Sequence, residues 1–183
     1  TSRRMVELAL HVKEGRWTRN IDESLFGWDV HGKTLGILGF GRIGQAVARR
    51  AALGFGMPVL YHNPFAVDLP ELGPRATHVP LEQLLRESDI VAATLPLTEQ
   101  TRGLMGAAQF AAMKPGAIFV NGSRGAIVQE EALLASLETL GHRLLDGRHE
   151  ITGGVPHDAI VVAQLRNGLR AGRAALIASE PKR

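Results

Sequence analysis

The sequence predicts an α/β protein built on a doubly wound parallel sheet that is incomplete at its C-terminal end. Predicted strands alternate with predicted helices from residue 34 to 141, the pattern of a parallel sheet covered by helices on both faces. A strand-like run leads through a glycine-rich turn into a helix in GILGFGRIGQAVARR, residues 36–50. The 183 residues, 45% of them hydrophobic and 21% charged, fit one globular domain. We therefore expect ligands to bind beyond the carboxyl ends of the strands.

Each predicted strand is a short apolar run that ends at glycine, proline or polar residues. Continuous apolar runs are typical of strands that are buried on both faces. Pro64 ends the second strand, because proline restricts the backbone of the residue before it. The four predicted strands lie within residues 32–41, 57–64, 89–96 and 117–125.

Five helices are predicted from apolar residues at helical spacing and from glycines that end the pattern. They lie within residues 1–14, 42–54, 80–89, 107–116 and 128–141. The apolar sets are Met5, Leu8 and Val12 in the first helix; Ile43, Val47 and Ala51 on one face of the second; and Leu133, Leu137 and Leu140 on the inner side of the fifth.

The chain changes character after residue 141. Residues 1–142 balance their charges, so the net charge of +3 comes from residues 143–183. That segment contains no aromatic residue for base stacking, which favours a poorly packed or solvated end over a nucleic-acid contact. We therefore predict one domain in residues 1–141 and an atypical tail in 142–183, without a nucleic-acid or membrane partner.

Composition limits the other classes of site. Cysteine is absent, which excludes disulfides, thiolate zinc sites and cysteine nucleophiles, and we predict no metal site. No apolar run approaches the length of a membrane span, and no basic-then-apolar leader opens the sequence. A cytoplasmic location is the expectation. The chain begins with Thr1 and enters a helix at once, so we expect a piece of a longer protein.

The glycine turn has the spacing G-x-G-x-x-G, at Gly39, Gly41 and Gly44. Its place between a strand and a helix favours dinucleotide binding over a turn that merely needs glycine. Gly39 allows the tight turn, Gly41 lets the pyrophosphate approach the backbone, and Gly44 lets helix and strand pack closely. The backbone N–H groups of Arg42 and Ile43 are expected to face the phosphates at the helix N-terminus.

The end of the second strand leaves the choice between NAD and NADP open. An acidic residue there would bind the ribose hydroxyls of NAD and repel a 2′-phosphate. The sequence instead has His62 and Asn63, which leans toward NADP, although only Arg75, some way on, offers an arginine. His62 and Asn63 are candidate cofactor ligands, and the alternative for His62 is an exposed strand end.

Five motifs together resemble the nucleotide-binding domain of the D-isomer-specific 2-hydroxyacid dehydrogenases. Three of them are LGILGFGRIGQAVARR, LPLTEQTRGLMG and MKPGAIFVNGSRGAIVQEEAL. VKEGRW and LYHN are most similar to the glyoxylate/hydroxypyruvate and 2-ketogluconate reductase branch. The resemblance covers residues 1 to about 141 and implies a Rossmann-like domain that binds NAD or NADP.

The resemblance also implies roles for residues of the later loops. It implies that the cofactor passes along the loop after the third predicted strand and that its nicotinamide end lies near the loop after the fourth. The residues implied are Leu95, Pro96, Leu97, Thr98 and Thr101 in the first loop, with Thr101 near the phosphates, and Asn121, Ser123 and Arg124 in the second.

Arg124 is the candidate catalytic residue. The resemblance implies that it binds the substrate carboxylate and polarises the keto oxygen, and a guanidinium suits this role because it is always charged and offers paired donors. A surface-loop arginine is the alternative. The resemblance further implies a small 2-keto acid substrate such as glyoxylate, hydroxypyruvate or 2-ketogluconate, and a homodimer formed through residues 1–14.

The tail departs from the family pattern. Members continue into Gly-Leu-Asp-Val-Phe-Glu and later Pro-His-Ile-Gly, whose histidine is the general acid and is oriented by the glutamate. Asp146, Glu150 and His157 are the candidates for the matching aspartate, glutamate and histidine, but Asp158 and Ala159 follow His157 where Ile-Gly is expected. A shifted reading frame would account for the tail's composition and its lost motifs together.

Three functions are compatible with the glycine turn. The first is an NAD(P)-dependent oxidoreductase that transfers a hydride between the nicotinamide and a 2-keto or 2-hydroxy acid. The second is an inactive remnant that binds the dinucleotide and dimerises. The third is a domain for another nucleotide-bearing ligand such as S-adenosylmethionine, and the Pro-Leu-Thr and Arg-Gly motifs argue against it.

Overall fold

The computed structural model describes residues 5–17, 29–140, 143–145 and 161–164. No helix in these ranges is long and apolar enough to cross a membrane. The helices are α1 (Met5–Lys13), α2 (Arg42–Arg49), α3 (Leu81–Glu87), α4 (Ala107–Ala111) and α5 (Glu130–Leu140). The strands are β1 (Leu35–Leu38), β2 (Val59–His62), β3 (Ala76–His78), β4 (Ile90–Ala93), β5 (Ile118–Asn121), β6 (Arg143–Leu145) and β7 (Val161–Gln164).

The sheet has the order β3-β2-β1-β4-β5-β7-β6. The strands β1 to β5 are parallel, whereas β7 pairs antiparallel with β5 and with β6. The chain moves outward from β1 to β3 and then returns to the other side of β1 for β4 and β5. This reversal defines a doubly wound, Rossmann-like sheet, so the predicted fold class is confirmed.

One strand of the parallel sheet was not predicted. The strand β3 pairs with β2 over three residues, with Ala76 opposite Val59 and His78 opposite Tyr61. The strand is short, and Thr77 and His78 are exposed, so it lacks the apolar run that marks the other parallel strands. Its pairing with β2, and not its own hydrophobicity, makes it a strand.

Helices cover both faces of the sheet and bury two apolar clusters. On the face of α2, Phe40 and Tyr61 stack with ring centroids 3.9 Å apart. On the other face, Phe110 from α4 meets Phe119 from β5 edge to face at 5.5 Å. The fully buried side chains include Ile37, Phe40, Ala48 and Val59 in the first cluster and Leu38, Leu84, Phe110, Phe119 and Leu133 in the second.

The inward face of α2 differs from the prediction. Ile43 is 64% exposed, whereas Gly44, Ala48 and Ala51 are buried. Ile43 lies in the first turn of the helix, which projects past the ends of the strands, so the sheet does not cover it. A π-helical turn over Arg50–Gly54 continues the helix.

The apolar residues predicted to be buried in α1 and α5 differ in their observed burial. Met5 is 73% and Val12 51% exposed, so these two do not pack against the sheet. In α5, Leu133 is fully buried as predicted, and the side chains of Leu137 and Leu140 lie outside the described part.

At the amino edge of the sheet, Asp89 joins three strands. Its Oδ2 accepts the Thr34 N–H at 2.9 Å, and its Oδ1 lies 3.0 Å from the Lys114 ammonium nitrogen. The Asp89 carbonyl also accepts the Ile118 N–H at 3.0 Å. Burial alone raises the pKa of this carboxyl, but the Thr34 N–H and the Lys114 charge bring that pKa below its ordinary value.

Candidate functional site

The candidate site lies at the carboxyl edge of the parallel sheet. The pairing places His62, Leu38, Ala93 and Asn121 in one row across β2, β1, β4 and β5. The loops that follow these four strands therefore leave the sheet side by side. They are the glycine turn and the three loops that contain the candidates Asn63, Thr101 and Arg124. These candidates therefore follow strands that end at the same edge of the sheet.

The three glycines of the turn have different structural roles. Gly39 has φ of +89°, a conformation that side chains with a Cβ rarely adopt. A Cβ on Gly44 would collide with the Gly39 carbonyl and lie 3.0 Å from Thr94 Oγ1. A Cβ on Gly41 would meet no heavy atom of the described residues within 4 Å, and its φ of −78° is open to any residue. Gly39 and Gly44 thus build the turn, whereas Gly41 leaves space beside it.

Side chains from three elements hold this turn in place. Thr94 Oγ1 donates to the Gly39 carbonyl at 2.6 Å, and Gln45 Nε2 donates to the Phe40 carbonyl at 3.0 Å. The Phe40 N–H donates to Asn63 Oδ1 at 3.3 Å. The turn is therefore fixed before any ligand binds.

The residues around the turn fit a dinucleotide. The first N–H groups of a helix have no partner within the helix, and α2 has neither a side-chain cap nor an acidic residue in its first turn. The N–H groups of Arg42, Ile43 and Gly44 thus belong to the positive end of the helix dipole, next to the space beside Gly41. A pyrophosphate needs this combination of space and donors.

The end of β2 is tied to its surroundings through Asn63. While its Oδ1 accepts from the glycine turn, its Nδ2 donates to the Phe65 carbonyl at 3.1 Å. Both ends of the amide are thus used within the protein. Asn63 acts here as a brace between the glycine turn and the loop after β2.

Two histidines flank Asn63. His62 is half-buried, and its Nδ1 lies 3.2 Å from the Val79 carbonyl oxygen. His78 is exposed, and its Nε2 lies 2.8 Å from the Asn63 carbonyl oxygen. His78 was missed because β3 was missed. Two β-branched residues, Thr77 and Val79, were the weak signal that could have placed this strand.

Arg75 does not reach this edge of the sheet. It directly precedes β3, and β3 runs parallel to β2, so Arg75 lies at the amino edge. The three residues of β3, at about 3.3 Å each, separate it from the carboxyl edge. Arg75 is therefore not placed to meet a ligand bound near Asn63.

The loop after β4 is ordered by two threonines. Thr101 Oγ1 donates to the Pro96 carbonyl at 2.6 Å and accepts the Thr98 N–H at 2.8 Å. Leu95 at the start of this loop lies against Gly39, since a Cβ there would be 2.9 Å from Leu95 Cδ2. The loop therefore forms one wall next to the glycine turn.

The loop after β5 is organised around a buried amide. Asn121 is 1% exposed; its Nδ2 donates to the Arg124 carbonyl at 2.9 Å and its Oδ1 accepts the Ser123 N–H at 3.0 Å. Arg124 is exposed, and its guanidinium donates to the Ser123 carbonyl at 3.0 Å. The Ser123 hydroxyl is buried and has no hydrogen-bond partner among the described residues. Asn121 thus shapes the loop, which carries an exposed cation and an unsatisfied hydroxyl.

Backbone hydrogen bonds join the loops that follow β4 and β5. The Gly103 N–H donates to the Ala126 carbonyl at 2.8 Å, and the Met105 N–H donates to the Ile127 carbonyl at 3.0 Å. Gln129 adds a side-chain bond from its Nε2 to the Gly103 carbonyl at 2.8 Å. The Thr98–Thr101 segment and the Arg124 turn therefore belong to one connected unit.

The three candidates of the tail, Asp146, Glu150 and His157, lie outside the described residues.

A sequence profile of the D-isomer specific 2-hydroxyacid dehydrogenase NAD binding domain matches residues 1–147. The chain belongs to this family. The resemblance seen in the motifs is therefore confirmed, and the glycine turn lies in the family's NAD-binding domain. This supports the use of a nicotinamide dinucleotide at the site.

Curated relatives are identical to this chain at about half of the aligned positions. Glyoxylate/hydroxypyruvate reductase B of Klebsiella pneumoniae is 51% identical over 138 residues, which cover 75% of this chain and 43% of that protein. The protein of the same name from Salmonella newport is 52% identical over the same length. The chain thus spans less than half the length of these relatives.

Solved structures of family members have the same fold. A glyoxylate reductase from Paecilomyes thermophila aligns with a TM-score of 0.66 and 40% identity, over 75% of this chain and 40% of that one. A D-lactate dehydrogenase from Aquifex aeolicus, complexed with NAD and lactic acid, aligns with a TM-score of 0.68 and 29% identity over the same shares.

Proposed function

We propose that this chain is the dinucleotide-binding part of an oxidoreductase that transfers a hydride between NAD(P)H and a small 2-keto or 2-hydroxy acid. The observation that carries the proposal is the placement of Arg124. Its loop follows β5, one strand away from β4 and two from the glycine turn after β1, at the same edge of the sheet. A carboxylate-binding cation and a pyrophosphate-binding turn thus share one edge.

The described residues suggest a division of labour. The N–H groups at the start of α2 hold the pyrophosphate beside Gly41, and the Thr98–Thr101 loop covers it. The loop that contains Asn121 and Ser123 would lie at the nicotinamide end of the dinucleotide, because it follows β5 at the same edge of the sheet. When bound, the dinucleotide supplies the hydride.

Arg124 acts on the substrate. Its guanidinium binds the carboxylate through paired donors and withdraws charge from the keto oxygen. His157 remains our prediction for the proton donor, with Glu150 orienting it and Asp146 near the nicotinamide. The names of the relatives favour glyoxylate and hydroxypyruvate as substrates, and 2-ketogluconate remains a third candidate.

The cofactor preference is proposed as NADP over NAD. No acidic residue occurs from Tyr61 to Val67, so no carboxylate stands directly at the end of β2, where it would repel a 2′-phosphate. Fluorescence titration of the full chain with NADPH and with NADH tests this directly. Tighter binding of NADH would contradict it.

The catalytic proposal is tested with Arg124→Ala. We expect kcat/KM for glyoxylate with NADPH to fall at least about 100-fold, because the transition state loses its main electrostatic partner, while the Kd of NADPH changes little. Arg86→Ala is the matched control, since Arg86 is an exposed arginine of α3 that pairs with Glu82. Unchanged kcat/KM in the Arg124 variant would overturn the assignment.

The alternative is a domain that binds the dinucleotide without turning over substrate. The departure of residues 142–183 from the family pattern favours it, since Asp158 and Ala159 follow His157 where the pattern has isoleucine and glycine. Saturable NADPH binding without glyoxylate reduction would support this alternative.

We also propose a homodimer formed through residues 1–14. Met5, Leu10 and Val12 of α1 are all about half or more exposed, which is unfavourable for a helix that remains alone. A molar mass that rises with protein concentration would support the dimer. The cytoplasmic location stays a prediction.

A further inference from the structure

His78 brings an imidazole to the place where NAD and NADP differ. The strand β3 lies next to β2, with His78 opposite Tyr61, and the two rings are 5.2 Å apart. The ring of His78 reaches the backbone of Asn63, the residue that follows β2. In a dinucleotide bound at the glycine turn, the ribose of the adenosine lies at the end of this second strand.

Its hydrogen bond determines which nitrogen of His78 is available. A carbonyl oxygen only accepts, so the Nε2 that lies 2.8 Å from the Asn63 oxygen must carry a hydrogen. The second nitrogen, Nδ1, is not used in any described hydrogen bond. When the ring is protonated, it donates to Asn63 from Nε2 and retains a second N–H for a ligand.

His62 repeats this arrangement on the neighbouring strand. Its Nδ1 faces the Val79 carbonyl at 3.2 Å, so this nitrogen carries the hydrogen and Nε2 remains available. Each ring is thus held by a backbone carbonyl, but the two project to opposite faces of the sheet, because His78 is aligned with Tyr61 and His62 is the next residue of β2. Because both partners are backbone carbonyls, a side-chain substitution at Val79 or Asn63 would not remove either hydrogen bond.

Within the described residues 61–67 and 76–81, histidine is the only residue type that can carry a positive charge. These two ranges contain no lysine, arginine, aspartate or glutamate. Beyond them, Glu82 pairs with Arg86 at 2.9 Å, and Arg75 lies at the opposite edge of the sheet. Arg42 belongs to the glycine turn, where the pyrophosphate common to NADH and NADPH binds, and therefore does not distinguish the two.

We propose that His78 binds the 2′-phosphate of NADP(H) and is a specificity-determining residue. The inference rests on the dinucleotide binding proposed above and adds the group that recognises the phosphate. Asn63 retains one amide N–H beyond its bonds to Phe40 and Phe65, but its side chain is uncharged and cannot form the charge-assisted bond that an imidazolium forms with a phosphate. An imidazolium next to a phosphate forms a charge-assisted hydrogen bond, which the hydroxyl of NADH cannot match.

The experiment compares His78→Gln with the unchanged chain in NADPH and NADH titrations. Glutamine keeps an N–H donor for the Asn63 carbonyl but cannot be charged. We expect the Kd of NADPH to rise about 10-fold and the Kd of NADH to stay within about twofold, because only the charge-assisted bond is lost. His31→Gln is the matched control, since His31 is exposed before β1 at the amino edge.

A second variant tests the charge from the other direction. His78→Arg keeps a cation at the end of β3, so the preference for NADPH over NADH should persist or increase. Equal weakening of both dinucleotides in His78→Gln would mean that the ring only supports Asn63, and an unchanged ratio of the two Kd values would also overturn the inference. If the unchanged chain binds neither dinucleotide, the proposed function itself fails.

Discussion

Among single residues, Gly44 and Gly41 differ in what a methyl group would meet. We expect Gly44→Ala to lower the free energy of unfolding by about 1–3 kcal/mol, because its Cβ overlaps the Gly39 carbonyl. Gly41→Ala should leave stability within about 0.5 kcal/mol but weaken NADPH binding, since its Cβ enters the space for the pyrophosphate. Urea unfolding and NADPH titration of both variants separate the two effects.

The opposite result for this pair would contradict the roles given to the glycines. If Gly41→Ala bound NADPH normally, the space beside Gly41 would not be the pyrophosphate site. If Gly44→Ala were as stable as the parent, the helix would have to shift away from the Gly39 carbonyl at little cost.

Two hydroxyls, that of the buried Ser88 and that of the half-buried Thr94, offer a second prediction at this scale. The Ser88 hydroxyl is buried without a partner among the described residues, whereas the Thr94 hydroxyl donates to Gly39. Ser88→Ala should therefore raise the free energy of unfolding by up to about 1 kcal/mol, because an unsatisfied polar group is removed. Thr94→Val should lower it by about 1 kcal/mol or more. A destabilised Ser88→Ala variant would show that the hydroxyl has a use in the native state.

At the scale of the elements, the contacts of Asp89 with neighbouring strands lead us to expect that the stability of the fold depends on pH. Its pKa is lower in the folded chain than the value of about 4 for an unfolded aspartate. The carboxylate therefore stabilises the fold above about pH 4, and this contribution is lost as the pH falls toward the folded pKa. Asp89→Asn should cost about 1–3 kcal/mol at pH 7, and the difference from the parent should shrink below about pH 4.

Urea unfolding at a series of pH values measures this effect. Glu87→Gln is the control, because Glu87 is an exposed carboxylate at the end of α3 and should change stability by less than about 0.5 kcal/mol. A cost of Asp89→Asn that did not vary with pH would mean that shape, and not charge, matters at this position.

The elements also show what a local pattern can predict. The strand β1, the glycine turn and α2 follow from consecutive residues, because each apolar run, glycine and helical repeat acts on its neighbours in sequence. The strand β3 could not be found in this way, since its partner β2 lies about 15 residues earlier and Thr77 is exposed. The exposure of Ile43 likewise depends on where the sheet ends. The helical spacing of apolar residues in the sequence does not contain that information.

The site was predictable to a similar degree. The edge of the sheet and the candidates Asn121 and Arg124 follow from motifs at strand ends. The use of Asn63 as a brace does not, because it depends on which side chains of other strands come within hydrogen-bond distance. His78 was missed for the same reason.

At the scale of the whole molecule, the exposed residues of α1 predict association. Replacing Met5 and Val12 together by lysine should shift the chain toward monomer, because charges would face each other across the proposed contact. Leu53→Lys is the control, since Leu53 is 57% exposed but lies outside α1. Sedimentation equilibrium measures the change. A parent chain that stays monomeric at all concentrations would contradict the proposed dimer.

The connection between the loops after β4 and β5 has a consequence for motion and entropy. Because Gly103 and Met105 are bonded to Ala126 and Ile127, any ordering of the first loop is passed to the turn that carries Arg124. A dinucleotide that reduces the motion of the loop after β4 therefore also reduces the motion of the Arg124 turn. The substrate then loses less conformational entropy of the protein when it binds. We expect NADPH to slow amide hydrogen exchange at residues 125–129, and a carboxylate inhibitor in turn to slow the departure of NADPH.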